Sequence, residues 1–252
     1  NELFVCDSGN NRLLVFPFSG TAIPGAARVL GQVGFQYRSP NLVEGREMFL
    51  VAGPTSIPGG AVYVGGASII DQTSNPPRLY VADTFNNRIL GYADARRVKP
   101  GDVADLIIGQ TALLESKVNS PTADVDQMSD QGLNLPVGIA LDGQGNLFVA
   151  DSGNGRVLRF PRPFDQPQKF AQRANLVLGQ SGFNFKITDA TQRTMARPYG
   201  VAFTSEGHLL VSDLAHHRVL LFRRAQTGDF VNGQNAATVF GQRAFVSSGS
   251  AS

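Results

Sequence analysis

Apolar residues in this chain come in short runs, and four of those runs share one continuation. LFVC, LYVA, LFVA and LLVS begin at Leu3, Leu79, Leu147 and Leu209. Each is followed by an Asp, a four-residue turn, an Arg and a second apolar run ending in an aromatic. Runs this short, punctuated by Gly, Asn and Pro, predict strands joined by hairpins rather than helices. A second landmark follows every copy: VLGQ, IIGQ, VLGQ and VFGQ, with Gln at 32, 110, 180 and 242. A third precedes the last three copies: IPGGAVYV, LPVGIALD and RPYGVAFT.

One unit therefore supplies four strands, which in the third copy are VGIALD, NLFVAD, RVLRFP and NLVLGQ. Four short antiparallel strands recurring at a long period predict an all-β fold, a β-propeller built from four-stranded blades. The units run approximately 1–53, 54–131, 132–193 and 194–252 within a single domain, 1–252. The first unit lacks its inner strand, and the tail RAFVSSGSAS offers no replacement. A share of a larger ring is expected, with an irregularly closed four-unit ring as the alternative. Unpaired edges at such ends favour edge-to-edge association. Polar, irregular insertions separate each Gln from the next Pro, and loops of that length carry function more often than fold.

The LYVADTFNNRIL core, with its P-x-G-[IV]-A strand and the DGQGN turn of the third copy, resembles the NHL repeat across all four units. The resemblance implies a propeller, most often six-bladed. It implies no single activity, because NHL-like propellers bind proteins, bind RNA or act as enzymes. The version with VLGQ and long insertions resembles bacterial exported proteins, so a secreted or periplasmic location is expected on that ground alone.

Within each copy the Asp and Arg stand five residues apart, at the two ends of a tight turn. Asp7 with Arg12, Asp83 with Arg88, Asp151 with Arg156 and Asp213 with Arg218 are read as structural pairs, since a catalytic group is rarely needed in every blade. Asn10, Asn86 and Asn154 are expected at positive φ, which Asn tolerates. Gly60, Gly138 and Gly200, two residues after Pro58, Pro136 and Pro198, are expected where inner strands crowd the axis. In GQ, the Gly is expected to bend the outer strand and the Gln to bond loop backbone. Phe35, Phe183 and Phe245 are read as packing between blades.

Composition narrows the chemistry. Charged residues are 17% of the chain against 42% apolar, with 28 Gly and 14 Pro, which suits strands and turns rather than helical bundles. A net charge of +2 demands no nucleic acid. Cys6 is the lone cysteine, so no intrachain disulfide or thiolate cluster can form. The uncharged stretch 48–70 holds Pro and Gly throughout and reads as strands with turns, not as a membrane span. The chain opens without the basic and then apolar pattern of an export signal, as a mature or truncated chain would.

His208, His216 and His217 all fall in the fourth unit; the last two replace turn residues of the other copies. No P-loop, G-x-S-x-G or H-E-x-x-H motif is present. The inner strands offer only Asp142, a turn residue, to a central metal, so no metal, cofactor or catalytic residue is assigned. Arg96, Arg97, Lys99, Arg223 and Arg224 are the candidates for a basic rim. The leading reading is a non-catalytic scaffold whose loops bind a protein, peptide or carbohydrate partner. The alternatives are a lactonase- or lyase-like enzyme with a metal in the channel, and RNA binding through the basic rim.

Overall fold

The computed structural model describes residues 1–39, 44–52, 63–225 and 228–249. A first sheet holds β1 (Glu2–Asp7), β2 (Arg12–Pro17) and β3 (Arg28–Leu30), and a small hairpin pairs β4 (Val51–Ala52) with β5 (Tyr63–Val64). Three four-stranded sheets follow. They comprise β6 (Ser68–Asp71), β7 (Arg78–Asp83), β8 (Arg88–Tyr92) and β9 (Leu106–Ile108); β10 (Pro136–Leu141), β11 (Leu147–Asp151), β12 (Arg156–Phe160) and β13 (Leu176–Leu178); and β14 (Pro198–Phe203), β15 (Leu209–Asp213), β16 (Arg218–Phe222) and β17 (Thr238–Phe240). Every pairing is antiparallel between chain neighbours, which is the meander of a propeller blade. Strands alternate their side chains between two faces, so a blade sandwiched by two others is apolar on both. β8, β9, β12 and β13 are buried at every position, whereas β15 and β16 of the last blade alternate between buried and half-buried.

The core lies between blades rather than within them. One layer joins Leu13, Val15 and Leu30 to Leu79, Val81 and Leu90; a second joins Tyr80 and Ile108 to Leu147 and Leu158; a third joins Phe148 and Leu178 to Leu220 and Phe222. At about 1.5–3 kcal/mol for each large side chain buried, these layers dominate the attachment of blade to blade.

The inner strand of the second blade differs from expectation. GGAVYV is not that strand: Tyr63–Val64 pairs with β4, while Ser68–Asp71 lies in register on β7. Pro58 and Gly60 lie outside the described residues. Burial explains the choice, because Ile69 packs into the layer toward the third blade and Ile70 into the layer toward the first. Tyr63 and Val64, at 50% exposure each, would leave that space empty.

In the two later blades Pro136 and Pro198 open the inner strand, where no ladder donor is lost, and the register shifts just after each. A Cβ on Gly138 would sit 2.2 Å from the Tyr199 carbonyl oxygen, so only glycine allows β10 and β14 to approach this closely.

Candidate functional site

In a meander, the links between strands one and two and between three and four lie at one end of the blade. The other end collects the Asp–Arg turns and the long insertions after each GQ. This divides the molecule into a turn face and an insertion face, and the Asp–Arg motif occupies the latter.

Each Asp ends its strand and each Arg begins the next, so pairing places them opposite one another across a single 3-10 turn. Arg Nε donates to Asp Oδ2 at 2.7 Å in the first three copies and 3.1 Å in the fourth. The last three pairs are wholly buried, and the first is partly exposed. The same guanidiniums donate to the carbonyls of Phe35, Leu113, Phe183 and Phe245, in the loop after GQ. The second Asp oxygen accepts from backbone N–H groups ahead of the inner strand: Phe49 at 2.7 Å, Asn134 at 2.7 Å and Arg197 at 3.0 Å. One ion pair thus ties its hairpin to the loops that enter and leave the blade. Burial pushes the Asp83 carboxyl up despite Arg88 beside it, a measure of what desolvation costs here.

The Asn residues are not where they were expected. Asn10, Asn86 and Asn154 lie inside the 3-10 turn and donate to the Asp carboxylate at 2.8–3.0 Å. Positive φ falls one residue later, at Asn11, Asn87, Gly155 and His217. The histidine pair fits this scheme. His216 Nδ1 lies 2.6 Å from Asp213 Oδ2 in the Asn position, and His217 takes the left-handed one. The GQ residues do bond loop backbone: Gln110 Nε2 donates to Asn87 O at 2.9 Å and Lys117 O at 2.8 Å, and its Oε1 accepts from Lys117 N–H at 3.0 Å. Gly109 stands at φ +93°, and a Cβ there would meet the Asn87 carbonyl at 2.8 Å. Phe183 and Phe245 pack against the layers between blades, whereas Phe35 is largely exposed.

The candidate basic residues lie in links between third and fourth strands, on the turn face: Arg96, Arg97 and Lys99 in the second blade, Arg223 and Arg224 in the fourth. Arg96 and Arg97 both pair with Asp94, whose carboxyl they hold below its usual range. Lys99 and Arg223 are exposed. Arg224 turns inward to Asp142 at 3.4 Å and lies over the Phe230 ring. Asp142 itself caps its turn, accepting from Gln144 and Asn146 N–H groups. Among the described residues no three His, Cys, Asp or Glu converge as metal ligands, and no helix is long and apolar enough to cross a membrane.

The insertion face holds a cavity of about 580 Å³ that sequence reading missed. Tyr63 and Val64 of β5, Leu135 and Val137 around the start of β10, Tyr199 of β14 and Leu214 after β15 form its apolar wall. Phe85, Thr84 and Ser152 add the 3-10 turns of two blades. The Tyr199 hydroxyl donates to the Val64 carbonyl at 2.6 Å, clasping the fourth blade to the β4–β5 hairpin. Exposed Arg197 lies over the Tyr63 ring, 5.6 Å from its centre, and makes no ion pair among the described residues. The cavity thus presents apolar and aromatic surface, a few hydroxyls and one available cation, with no carboxylate, imidazole or thiol among its described lining.

Residues 133–160 match the family model of the NHL repeat, a segment that contains the third Asp–Arg motif. No curated protein sequence matches the chain. Among solved structures, selenomethionine-substituted virginiamycin B lyase from Staphylococcus aureus is similar with a TM-score of 0.41 and 13% identity, over 87% of this chain and 62% of that one. The chain therefore spans less than two thirds of that neighbour's length.

Proposed function

We propose that the chain is a non-catalytic binding propeller whose insertion face takes an apolar protein or peptide segment carrying a carboxylate. The observation behind this reading is the cavity beside Tyr199 and Leu214, with Arg197 at its edge. A ligand carboxylate would pair with that guanidinium, and apolar side chains would fill the wall. The distribution of exposed apolar residues supports the same face. Val33, Phe35, Tyr37, Leu114, Val125, Phe185, Ile187 and Val246 in the insertions join Tyr63, Val64 and Leu214, while among the described residues the links of the turn face expose Ile23, Val103 and Val231, and Leu3, Val5 and Phe240 are exposed on strands. An apolar surface so concentrated on one side favours a partner over bare solvent. The described lining is chiefly apolar and aromatic with a few polar groups, the make-up of a binding surface.

Selection of displayed peptides on the immobilised protein tests this. Enriched peptides are expected to combine aromatic or aliphatic anchors with an Asp, a Glu or a free C-terminus. Leu214→Asp is expected to weaken them tenfold or more, since one buried anchor contributes about 1.5–3 kcal/mol. Arg197→Gln should weaken only those bearing the carboxylate, and Arg97→Gln on the other face should weaken none. Peptides that bind Leu214→Asp as well as the parent would remove the reading.

A further inference from the structure

The turn face carries a second cavity, of about 330 Å³, between the second and third blades. Its wall is polar. The link from β6 to β7 contributes Asp71, Thr73 and Asn75; the link from β10 to β11 contributes Gln144; and Arg162 and Asp165 come from the loop after β12. Asp71 is the distinctive group. Its residue is 2% exposed, and its Oδ1 accepts from the Thr73 N–H at 2.9 Å and the Thr73 hydroxyl at 2.6 Å. Its Oδ2 has no partner among the described residues, although it borders the cavity.

The next blade supplies the control. Asp142 stands at the same place in its blade, and there both oxygens are engaged: Oδ1 by Gln144 and Asn146 N–H groups, Oδ2 by the Asn146 amide at 2.9 Å and Arg224 at 3.4 Å. A structural cap is therefore satisfied in one blade and left with an open acceptor in the other. A carboxylate oxygen that opens on a cavity and has no protein donor is free to accept from a ligand O–H or N–H.

Charge selects what that donor is. Arg78 and Arg162 both pair with Asp165 at 3.0 Å, so the wall holds two guanidiniums and two carboxylates and is neutral in sum. The guanidiniums disfavour a metal ion or an ammonium group at Asp71, and the carboxylates disfavour an anion. A neutral ligand with several hydroxyls meets neither penalty. Its O–H groups can donate to Asp71 Oδ2 and accept from the remaining guanidinium and amide N–H groups. We propose that this cavity binds one residue of a carbohydrate, with Asp71 as the acceptor that orients it. The site is separate from the peptide-binding reading of the opposite face and stands or falls without it.

Titration calorimetry and saturation-transfer NMR of the intact chain with glucose, galactose, mannose and N-acetylglucosamine provide the test. At least one is expected to bind with a dissociation constant of about 1 mM, the scale that a dozen or so non-hydrogen atoms support. Asp71→Asn keeps the acceptor that holds Thr73 and replaces Oδ2 by a donor; it should weaken that sugar at least tenfold with an unchanged melting temperature. Arg162→Gln, at a residue whose side chain is 60% exposed, should weaken it severalfold and decides the matter should Asp71→Asn unfold. No binding by any of the four sugars, or binding that survives both substitutions, overturns the proposal.

Discussion

Replacing Arg156 by Met isolates what the buried Asp–Arg pair does for a blade. Arg156 and Asp151 are both wholly buried, 2.7 Å apart, and the guanidinium also donates to Phe183 O at 2.5 Å and Gly132 O at 3.1 Å. Met fills much of the volume but leaves Asp151 with only the Asn134 N–H and the Asn154 amide. Breaking one side of a buried pair costs about 3–5 kcal/mol, and a carbonyl left without its donor costs about 1–3 kcal/mol. Because these losses overlap, the expected destabilisation is about 4–6 kcal/mol. Arg12→Met is the comparison. There the side chains of Arg12 and Asp7 are 16% and 25% exposed, so water takes over part of the lost bonding and about 1–2 kcal/mol is expected. Arg156→Lys keeps the charge without the fork and should fall between them. Equilibrium urea denaturation followed by circular dichroism measures all three. Equal midpoints for Arg156→Met and Arg12→Met would show that burial does not set the worth of this pair, and the reasoning would fail.

Other substitutions probe the remaining parts. His216→Asn restores the residue found in the other three turns and should change stability by no more than about 0.5 kcal/mol, whereas His216→Leu should cost about 1–3 kcal/mol by stripping Asp213 of a partner. Gln110→Ala, at a fully buried side chain, should cost about 2 kcal/mol and speed proteolysis within residues 111–131, because it frees Asn87 and Lys117 backbone together. Glu115 gives a pH signature. Lys117 and the Thr111 hydroxyl hold its carboxyl down to about 2, so its stabilising effect is complete above the ordinary 4.5 and fades as pH falls toward 2. Carboxyl NMR titration should find that low midpoint, and Lys117→Met should raise it; a midpoint near 4.5 in the parent would contradict the contact.

The sequence showed the Asp–Arg pairing because a four-residue turn between strand ends leaves little freedom about where the two side chains meet. It did not show which of two adjacent Asn residues turns left-handed. The clue was present in the third copy, where Gly155 marks the left-handed position, but three Asn residues aligned one place earlier looked equally suitable. The second inner strand went astray for a related reason. Pro58 and Gly60 match the opening pattern, while SIID matches no pattern and is selected by the two apolar layers it fills. Neither cavity was legible, because each is assembled across units. Tyr63, Leu135 and Tyr199 are far apart in sequence and meet only through the order of the blades. In the candidate basic rim, Asp94 lies two and three residues before Arg96 and Arg97 and offsets one of their two charges.

The two cavities share a property that the repeat itself exposes. A residue required for the blade recurs in every copy, so a binding residue must sit where copies are free to differ. The place after the motif Asp reads Ser8, Thr84, Ser152 and Leu214, and the next reads Gly9, Phe85, Gly153 and Ala215; four of these eight line the larger cavity. Ser8 and Thr84 bond neighbouring backbone through their hydroxyls, while Phe85 and Leu214 supply apolar wall. On the opposite face, Asp71 and Asp142 share a place but not a partner set, and the cavity lies beside the one left open. Chemistry in this molecule is therefore to be sought in the mismatches of the self-alignment, whereas the matches describe the scaffold. The histidine pair shows the limit of that rule. His216 and His217 are also a mismatch, yet each takes over the bond or the backbone geometry of the residue it replaces. A mismatch marks a site only where the new side chain leaves something unsatisfied or faces open space, as Arg197 does; Asp71 matches Asp142 in identity and is set apart by its partners instead.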